Sequence, residues 1–203
     1  MTSPIKAIIF DFGGVLLQWD PHQLYRRYFD QPEQIDQFLA EINFSSWNAE
    51  QDRGRPFTEG IAELSGQFPQ YAHLIRAYYD HWEDSVVGPI SGTVEILHSL
   101  KQAGYSLYGL SNWSTETYPR VQHQYDFFNL FDKIILSGDV KLIKPDPAIF
   151  NLTLKVIHRT ASECLLIDDS EVNIMTAKIM GFITIHFKSS EQLRTELHQL
   201  NLP

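Results

Sequence analysis

The stretch FDFGGVLLQWD, residues 10–20, decides how the rest of the chain is read. A mostly apolar run, Ile5 to Phe10, ends abruptly in Asp11, and Gly13 and Gly14 follow before Val15, Leu16 and Leu17. A short apolar run bounded by glycine reads as a buried strand. A carboxylate at its end, next to residues without side chains, asks for a chemical reason. Glycines let a backbone turn tightly and bring its own carbonyl and amide groups close to a ligand.

Around that stretch, 203 residues are enough for one good core or one core with a small appendage. A net charge of −9 disfavours nucleic acid and anionic membrane as partners, since both attract positive surfaces. It leaves room for a small anion at a local basic site. No apolar run reaches the ~18 residues of a membrane span, and MTSPIKAIIF lacks a secretory h-region and cleavage site. Cys164 is the single cysteine, so an intrachain disulfide is impossible and the expected location is cytoplasmic. Its place inside an apolar run suits a small buried side chain better than a redox centre.

Residues 5–10, 105–110, 132–136, 163–167 and 182–187 are short, apolar and rich in β-branched or aromatic residues, and read as buried parallel strands. Residues 91–103, 114–123, 147–158, 171–180 and 190–200 carry helical spacing between them, with Pro147 starting one helix and Gly104 and Gly181 stopping two. Strands alternating with helices predict an α/β fold, a central parallel sheet with helices on both faces. Residues 21–87 break the alternation. They hold helical stripes such as Leu24, Tyr25, Tyr28, Phe29 and Leu74, Ile75, Tyr78, Trp82, and no convincing strand. The expectation is a discontinuous core of 1–17 and 88–203 with a helical cap, 18–87, hinged near Gly88 and Pro89.

Ligands of open α/β sheets bind beyond the C-terminal strand ends. There the sequence places Asp11, then Ser111 and Asn112, then Lys144 in KPDP, then Asp168 and Asp169. Singly, each reads as a helix cap or turn residue. Together they bring carboxylates to one edge, where they repel unless a hard cation such as Mg²⁺ sits among them. One carboxylate is then available as a nucleophile toward phosphorus, and a lysine and a hydroxyl offset charge on the transferring group.

These residues resemble the four motifs of the haloacid dehalogenase-like hydrolases, in order: IIFDFGGVL, LSN, KPDPAIF, and LLIDDSEVN with the later GF. The resemblance covers nearly the whole chain, and the insertion matches the small helical cap of one subgroup. It is nearest to the branch containing glucose-1-phosphatase-like proteins. The resemblance implies a Rossmann-like core and a hydrolase acting on a small phosphorylated metabolite, sugar phosphates first, as a monomer or weak homodimer. It assigns Asp11 as nucleophile and Mg²⁺ ligand, the Gly13 carbonyl and Asp169 as further ligands, and Asp168 and Asn173 as their supports. Ser111 and Asn112 would hold the phosphoryl group, and Lys144 would bridge it to the nucleophile.

Phosphatases of this family usually carry an acid/base aspartate two residues after the nucleophile. Here that residue is Gly13, which keeps the carbonyl and removes a group worth ~10²–10⁴-fold in rate. Three readings stay open. The chain is a phosphatase with another proton carrier, for which Asp20, His22 and Asp52 are candidates. It is a 2-haloacid dehalogenase using Asp11 without metal, although IDDSEVN looks suited to a cation. Or it is a degenerate relative that binds a phosphorylated ligand or a protein. WNAEQDRGRP, residues 47–56, reads mainly as a surface loop with Trp47 tucked inward. Trp19 and Trp113 adjoin the motifs, and Asp139 stands as a possible partner of Lys144 or a turn residue.

Overall fold

The computed structural model describes residues 5–203; residues 1–4, where the expected core begins and where part of the stretch read for a leader lies, are outside the described part. Strand β1 (Ala7–Phe10) is followed by β2 (Leu17–Trp19) and five helices, α1 (Pro21–Tyr25), α2 (Pro32–Glu41), α3 (Phe44–Asp52), α4 (Phe57–Gln67) and α5 (Ala72–Asp80). Strand β3 (Val86–Pro89) returns the chain to α6 (Ser91–Gln102), β4 (Ser106–Ser111), α7 (Tyr118–Val121), β5 (Lys133–Leu136), α8 (Ser137–Val140) and α9 (Pro147–Ile157). Then come β6 (Cys164–Asp168), α10 (Glu171–Ile179), β7 (Ile183–His186) and α11 (Ser190–Gln199).

Five strands form one parallel sheet in the order β5-β4-β1-β6-β7. The chain leaves β1 in both directions, so the switch point of the topology lies at its C-terminal end, beside Asp11. Successive side chains of β1 point to opposite faces. Ile8 and Phe10 join one apolar layer with Ile96, Leu97, Leu193 and Leu197 of α6 and α11. Ala7 and Ile9 join the other with Ile149, Phe150, Ile174 and Ala177 of α9 and α10. All four β1 side chains are fully buried, which explains why the strand reads as an unbroken apolar run. Cys164 is buried in β6 as expected.

Two expectations need correction. Residues 21–87 hold strand only at their very end, where β3 begins at Val86; it pairs antiparallel with β2, which precedes the segment, as a ribbon at the root of the inserted helices. Two three- to four-residue edge strands are too short to show a period. The helix expected over 114–123 shrinks to Tyr118–Val121. Ser114 starts a turn in which its carbonyl accepts from Tyr118 and its hydroxyl from the Glu116 backbone, so regular helix is delayed. The inserted helices share the first apolar layer: Tyr25, Phe38, Trp47, Phe57 and Tyr78 are continuous with Phe10 and Phe12.

Candidate active site

The loop after β1 is held from below. Phe12 is fully buried and packs edge-on against Trp113, Phe128 and Phe131, with ring centroids 6.2, 5.1 and 5.3 Å away. Its backbone carbonyl accepts from Leu16 and Leu17 at 2.8 and 2.9 Å, closing a tight turn. Gly14 within this turn has φ +72°, and a Cβ there would stand 2.2 Å from Asp169 Oδ2. Glycine is therefore required twice, for the left-handed backbone and for the close approach of the carboxylate. Gly14→Ala is expected to displace Asp169 and weaken Mg²⁺ binding by at least about tenfold, measured by calorimetric titration; unchanged affinity would remove Asp169 from the ligand set.

Asp11, Asp168 and Asp169 offer carboxylate oxygens that lie within 4.8 Å of one another. Lys144 is buried between the first two, with Nζ 2.8 Å from Asp11 Oδ2 and 2.6 Å from Asp168 Oδ2. The helix that follows fixes its loop: Asp146 caps α9 by accepting from Ala148 N at 2.8 Å, and Pro147 occupies the first turn. Asn112 fixes the Lys144 peptide on both sides, its amide donating to the Lys144 carbonyl and its Oδ1 accepting from the Lys144 N–H. The Asn112 side chain is thus engaged with Lys144, and the residue also lines the cavity described below. Ser111 is buried at the end of β4, in the wall of the cavity described below. Asp139 is exposed on α8.

The two adjacent aspartates differ. Asp168 is fully buried, and both its oxygens are engaged, by Lys144, by Asn173 Nδ2 at 2.9 and 3.1 Å and by the Ser170 N–H at 2.9 Å. Asp169 is exposed toward the Gly14 loop. Burial pushes the Asp11 carboxyl up to about 7, against the pull of Lys144 and with the further push of Asp168 and Asp169. Asp169 is raised by burial and by Asp168. Burial works against the charge of Lys144, but Asp11 and Asp168 outweigh it and hold the ammonium charged. With all three carboxylates ionised the cluster carries a net charge of −2 beside its ammonium, the charge one divalent cation balances. The donors are all oxygen, with no thiolate or imidazole in the cluster, which suits Mg²⁺.

A pH prediction follows. A folded pKa of about 7 for Asp11, above the ordinary 3.8, means that the folded protein holds a proton the unfolded chain releases. That contribution is complete below about pH 4 and is lost as pH rises through 7. Asp169, Asp52 and His22 are also raised and act in the same direction. Glu163, lowered to about 2, acts below this window. The Tm in EDTA should therefore fall between pH 5 and 8, and Mg²⁺ should raise it at pH 8 by binding only the folded state. A Tm that rises over this range without metal would contradict the assignment.

A cavity opens beside the Gly13 loop, lined by Gly13, Ser111 and Asn112 together with Trp19, Trp82, Trp113, Asn48 and Asp52. The residues around Trp47 are not a surface loop. They form α3, in which Asn48 and Gln51 are buried and Trp47 Nε1 donates to the Gly60 carbonyl. Of the three candidate proton carriers, Asp20 caps α1 and binds His22, His22 bridges Asp20 and Asp36, and Asp52 alone lines this cavity. Sequence reading missed the role of Asn48. Its spacing of four from Asp52, one helical turn on the same face, was the available signal.

The family model for haloacid dehalogenase-like hydrolases matches residues 5–181. The chain is 26% identical over 201 residues to a sesquiterpene phosphatase of Aspergillus oryzae, covering 98% of each. It is 25% identical to the D-ribitol-5-phosphate phosphatase of Bacteroides thetaiotaomicron, over 95% of this chain and 97% of that one. A crystal structure of an enzyme of the family from Bacteroides thetaiotaomicron, in complex with magnesium and inorganic phosphate, superposes with a TM-score of 0.72 at 24% identity, covering 91% of this chain and 95% of that one. The chain belongs to the haloacid dehalogenase-like hydrolase family, and the fold and the cluster at the strand ends are those of an enzyme.

Proposed function

We propose that the protein is a Mg²⁺-dependent phosphatase of small phosphate monoesters, working through an aspartyl-phosphate on Asp11. The observation that carries this reading is the cluster of three carboxylates around one buried ammonium at the switch point of the sheet. Asp11, the Gly13 carbonyl and Asp169 would hold the metal, since Asp168 has spent its oxygens on Lys144, Asn173 and Ser170. A bound Mg²⁺ supplies charge neutralisation for phosphoryl transfer. Asp11 is the oxygen nucleophile, kept next to Lys144 so that the ammonium offsets the phosphoryl charge. Ser111 closes the site from β4, and Asn112 keeps Lys144 in place. A metal-free dehalogenase has no use for a cluster of net charge −2, so this reading is the weaker one.

For the alcohol half of the substrate, the cavity wall supports an apolar body. Leu17, Trp19, Trp82, Val86 and Trp113 supply most of it, and Asn48 and Tyr78 hydrogen-bond each other. The similarity to a sesquiterpene phosphatase points the same way. A sugar or polyol phosphate is the second reading, favoured by the similarity to a ribitol-5-phosphate phosphatase. The test is phosphate release from p-nitrophenyl phosphate, isoprenyl phosphates and sugar phosphates, with Mg²⁺ and with EDTA. Metal-dependent release, faster for the apolar esters, is expected; no release from any of them would contradict the phosphatase reading.

A further inference from the structure

Gly13 leaves the site without the acid/base carboxylate that stands there in most phosphatases of the family. The space for it is open: a Cβ built at Gly13 meets nothing within 4 Å. The same cavity is lined by Asp52, at the C-terminal end of α3. We propose that Asp52 is the proton carrier of this site, donating to the leaving alcohol and then accepting a proton from the attacking water; the proposal rests on the phosphatase reading above.

The position of Asp52 is fixed by both parts of the chain. Ser137 Oγ, on α8 after β5, donates to the Asp52 carbonyl and accepts from the Trp113 N–H at 2.9 Å. Asp52 is thereby joined to the loop that carries Ser111 and Asn112. Two residues on, Lys141 Nζ donates to the Gly54 carbonyl at 2.9 Å, and Phe57 N donates to Glu116 Oε1 at 2.9 Å. Gly54 has φ +100°, and a Cβ there would come within 2.7 Å of the Gly138 backbone carbonyl oxygen, so this close seat favours glycine. The segment from the end of α3 to the start of α4 is pinned to the core loops at three points, which is what a proton carrier borne on an inserted element needs.

A hydrogen-bond chain sets the orientation of the carboxyl. Trp82 Nε1 can only donate, and it donates to Tyr78 Oη at 3.1 Å. The tyrosine hydroxyl then donates to Asn48 Oδ1 at 2.9 Å. This turns the Asn48 amide toward Asp52, where Nδ2 donates to Oδ2 at 2.8 Å. The Asp52 Oδ2 is thus anchored by Asn48. Burial pushes the Asp52 carboxyl up to about 8, with the Ser114 N–H pulling it back only in part, so the group holds a proton at neutral pH. Asp11 has no such role open to it, because its oxygens face Lys144 and its neighbouring backbone N–H.

The steps balance. An Asp11 oxygen forms a bond to phosphorus as the ester P–O bond breaks, and the departing alkoxide takes the proton of Asp52. In the second step the Asp52 carboxylate takes a proton from water, whose oxygen attacks phosphorus. Inorganic phosphate leaves, and the Asp11 carboxylate and the Asp52 acid are regenerated. No oxidant or other reactant is required.

The experiment compares a leaving group that needs a proton with one that does not. Asp52→Asn and the wild type are assayed with Mg²⁺ on n-hexyl phosphate and on p-nitrophenyl phosphate, reading steady-state turnover and the pre-steady-state burst. The asparagine keeps the shape and the Asn48 contact side, and a Tm within a few degrees of wild type checks folding. Hexyl phosphate turnover is expected to fall ~10²–10⁴-fold. With p-nitrophenyl phosphate, the first equivalent of nitrophenol should still appear at a rate within about tenfold of wild type, followed by slow turnover. Gly13→Asp added to Asp52→Asn should restore hexyl phosphate hydrolysis in part. Equal losses of the first step on both esters, or no loss on either, overturn the proposal. If Asp52→Asn does not fold, Asp52→Ser replaces it, and hexyl phosphate turnover equal to wild type, or equal losses of the first step on both esters, overturns the proposal. Wild type inert toward both esters overturns the phosphatase reading and this proposal with it, whereas active wild type with equal losses overturns this proposal alone.

Discussion

Asp11→Asn is expected to lower turnover by at least about 10⁴-fold while the protein stays folded. The asparagine is nearly isosteric, and Lys144 keeps its 2.6 Å partner Asp168. The charged oxygen that attacks phosphorus is lost, and no other carboxylate is placed to replace it: Asp168 is consumed by four hydrogen bonds, and Asp169 lies against Gly14. Stability should move the other way. Burial and two neighbouring carboxylates hold the Asp11 pKa up at about 7, so its charged form is disfavoured in the metal-free fold. Asp11→Asn in EDTA at pH 8 should therefore unfold at or above the wild-type Tm. A variant that keeps wild-type activity would remove Asp11 from the chemistry; one that fails to fold would make it a structural residue. Phosphate release and thermal unfolding on the same preparation decide between these.

Lys144→Met is expected to have the largest effect on stability. Lys144 is 3% exposed and its Nζ is the cation between Asp11 and Asp168. Removing one partner of a buried ion pair costs about 3–5 kcal/mol, because the remaining charges are left unpaired. For a chain of this size that is a fall in Tm of roughly 6–20 °C. Turnover should also fall, since the ammonium offsets the phosphoryl charge. The destabilisation should deepen as pH rises, because the buried carboxylates must then carry their charge without the ammonium. Mg²⁺ should recover part of the Tm by supplying charge to the same cluster. A variant as stable as wild type at pH 8 in EDTA would show that the cluster is not held together by Lys144.

The core was legible because its elements announce themselves in the sequence. β1, β4, β6 and β7 are apolar runs of four to six residues with punctuation at each end, and the strand-end residues sit where an α/β sheet must place them. Asp11, Lys144, Asp168, Asp169 and Asn173 do converge, with Ser111 in the wall of the adjoining cavity. Two kinds of feature were not legible. The first is a contact that spans the fold, such as Ser137 to Asp52, 85 residues apart, or Gly14 against Asp169. Neither leaves a local pattern. The second is the polar side of α3, where Asn48 and Gln51 are buried despite their type. A stretch such as WNAEQD looks solvated by composition, and only its partners Tyr78 and Arg55 show why it is not. Asn112 shows the limit in another way: its place after β4 was legible, but the two hydrogen bonds that tie its side chain to the Lys144 peptide, far along the chain, were not.

The central claim is an aspartyl-phosphate on Asp11, and one measurement reaches it directly. Wild-type protein is mixed with Mg²⁺ and excess p-nitrophenyl phosphate, quenched in acid within the first turnovers, digested, and mapped by mass spectrometry. The account predicts a phosphoryl group on the peptide that contains Asp11, absent in EDTA and absent in Asp11→Asn. Turnover with no adduct on that peptide, or an adduct on another residue, would contradict it.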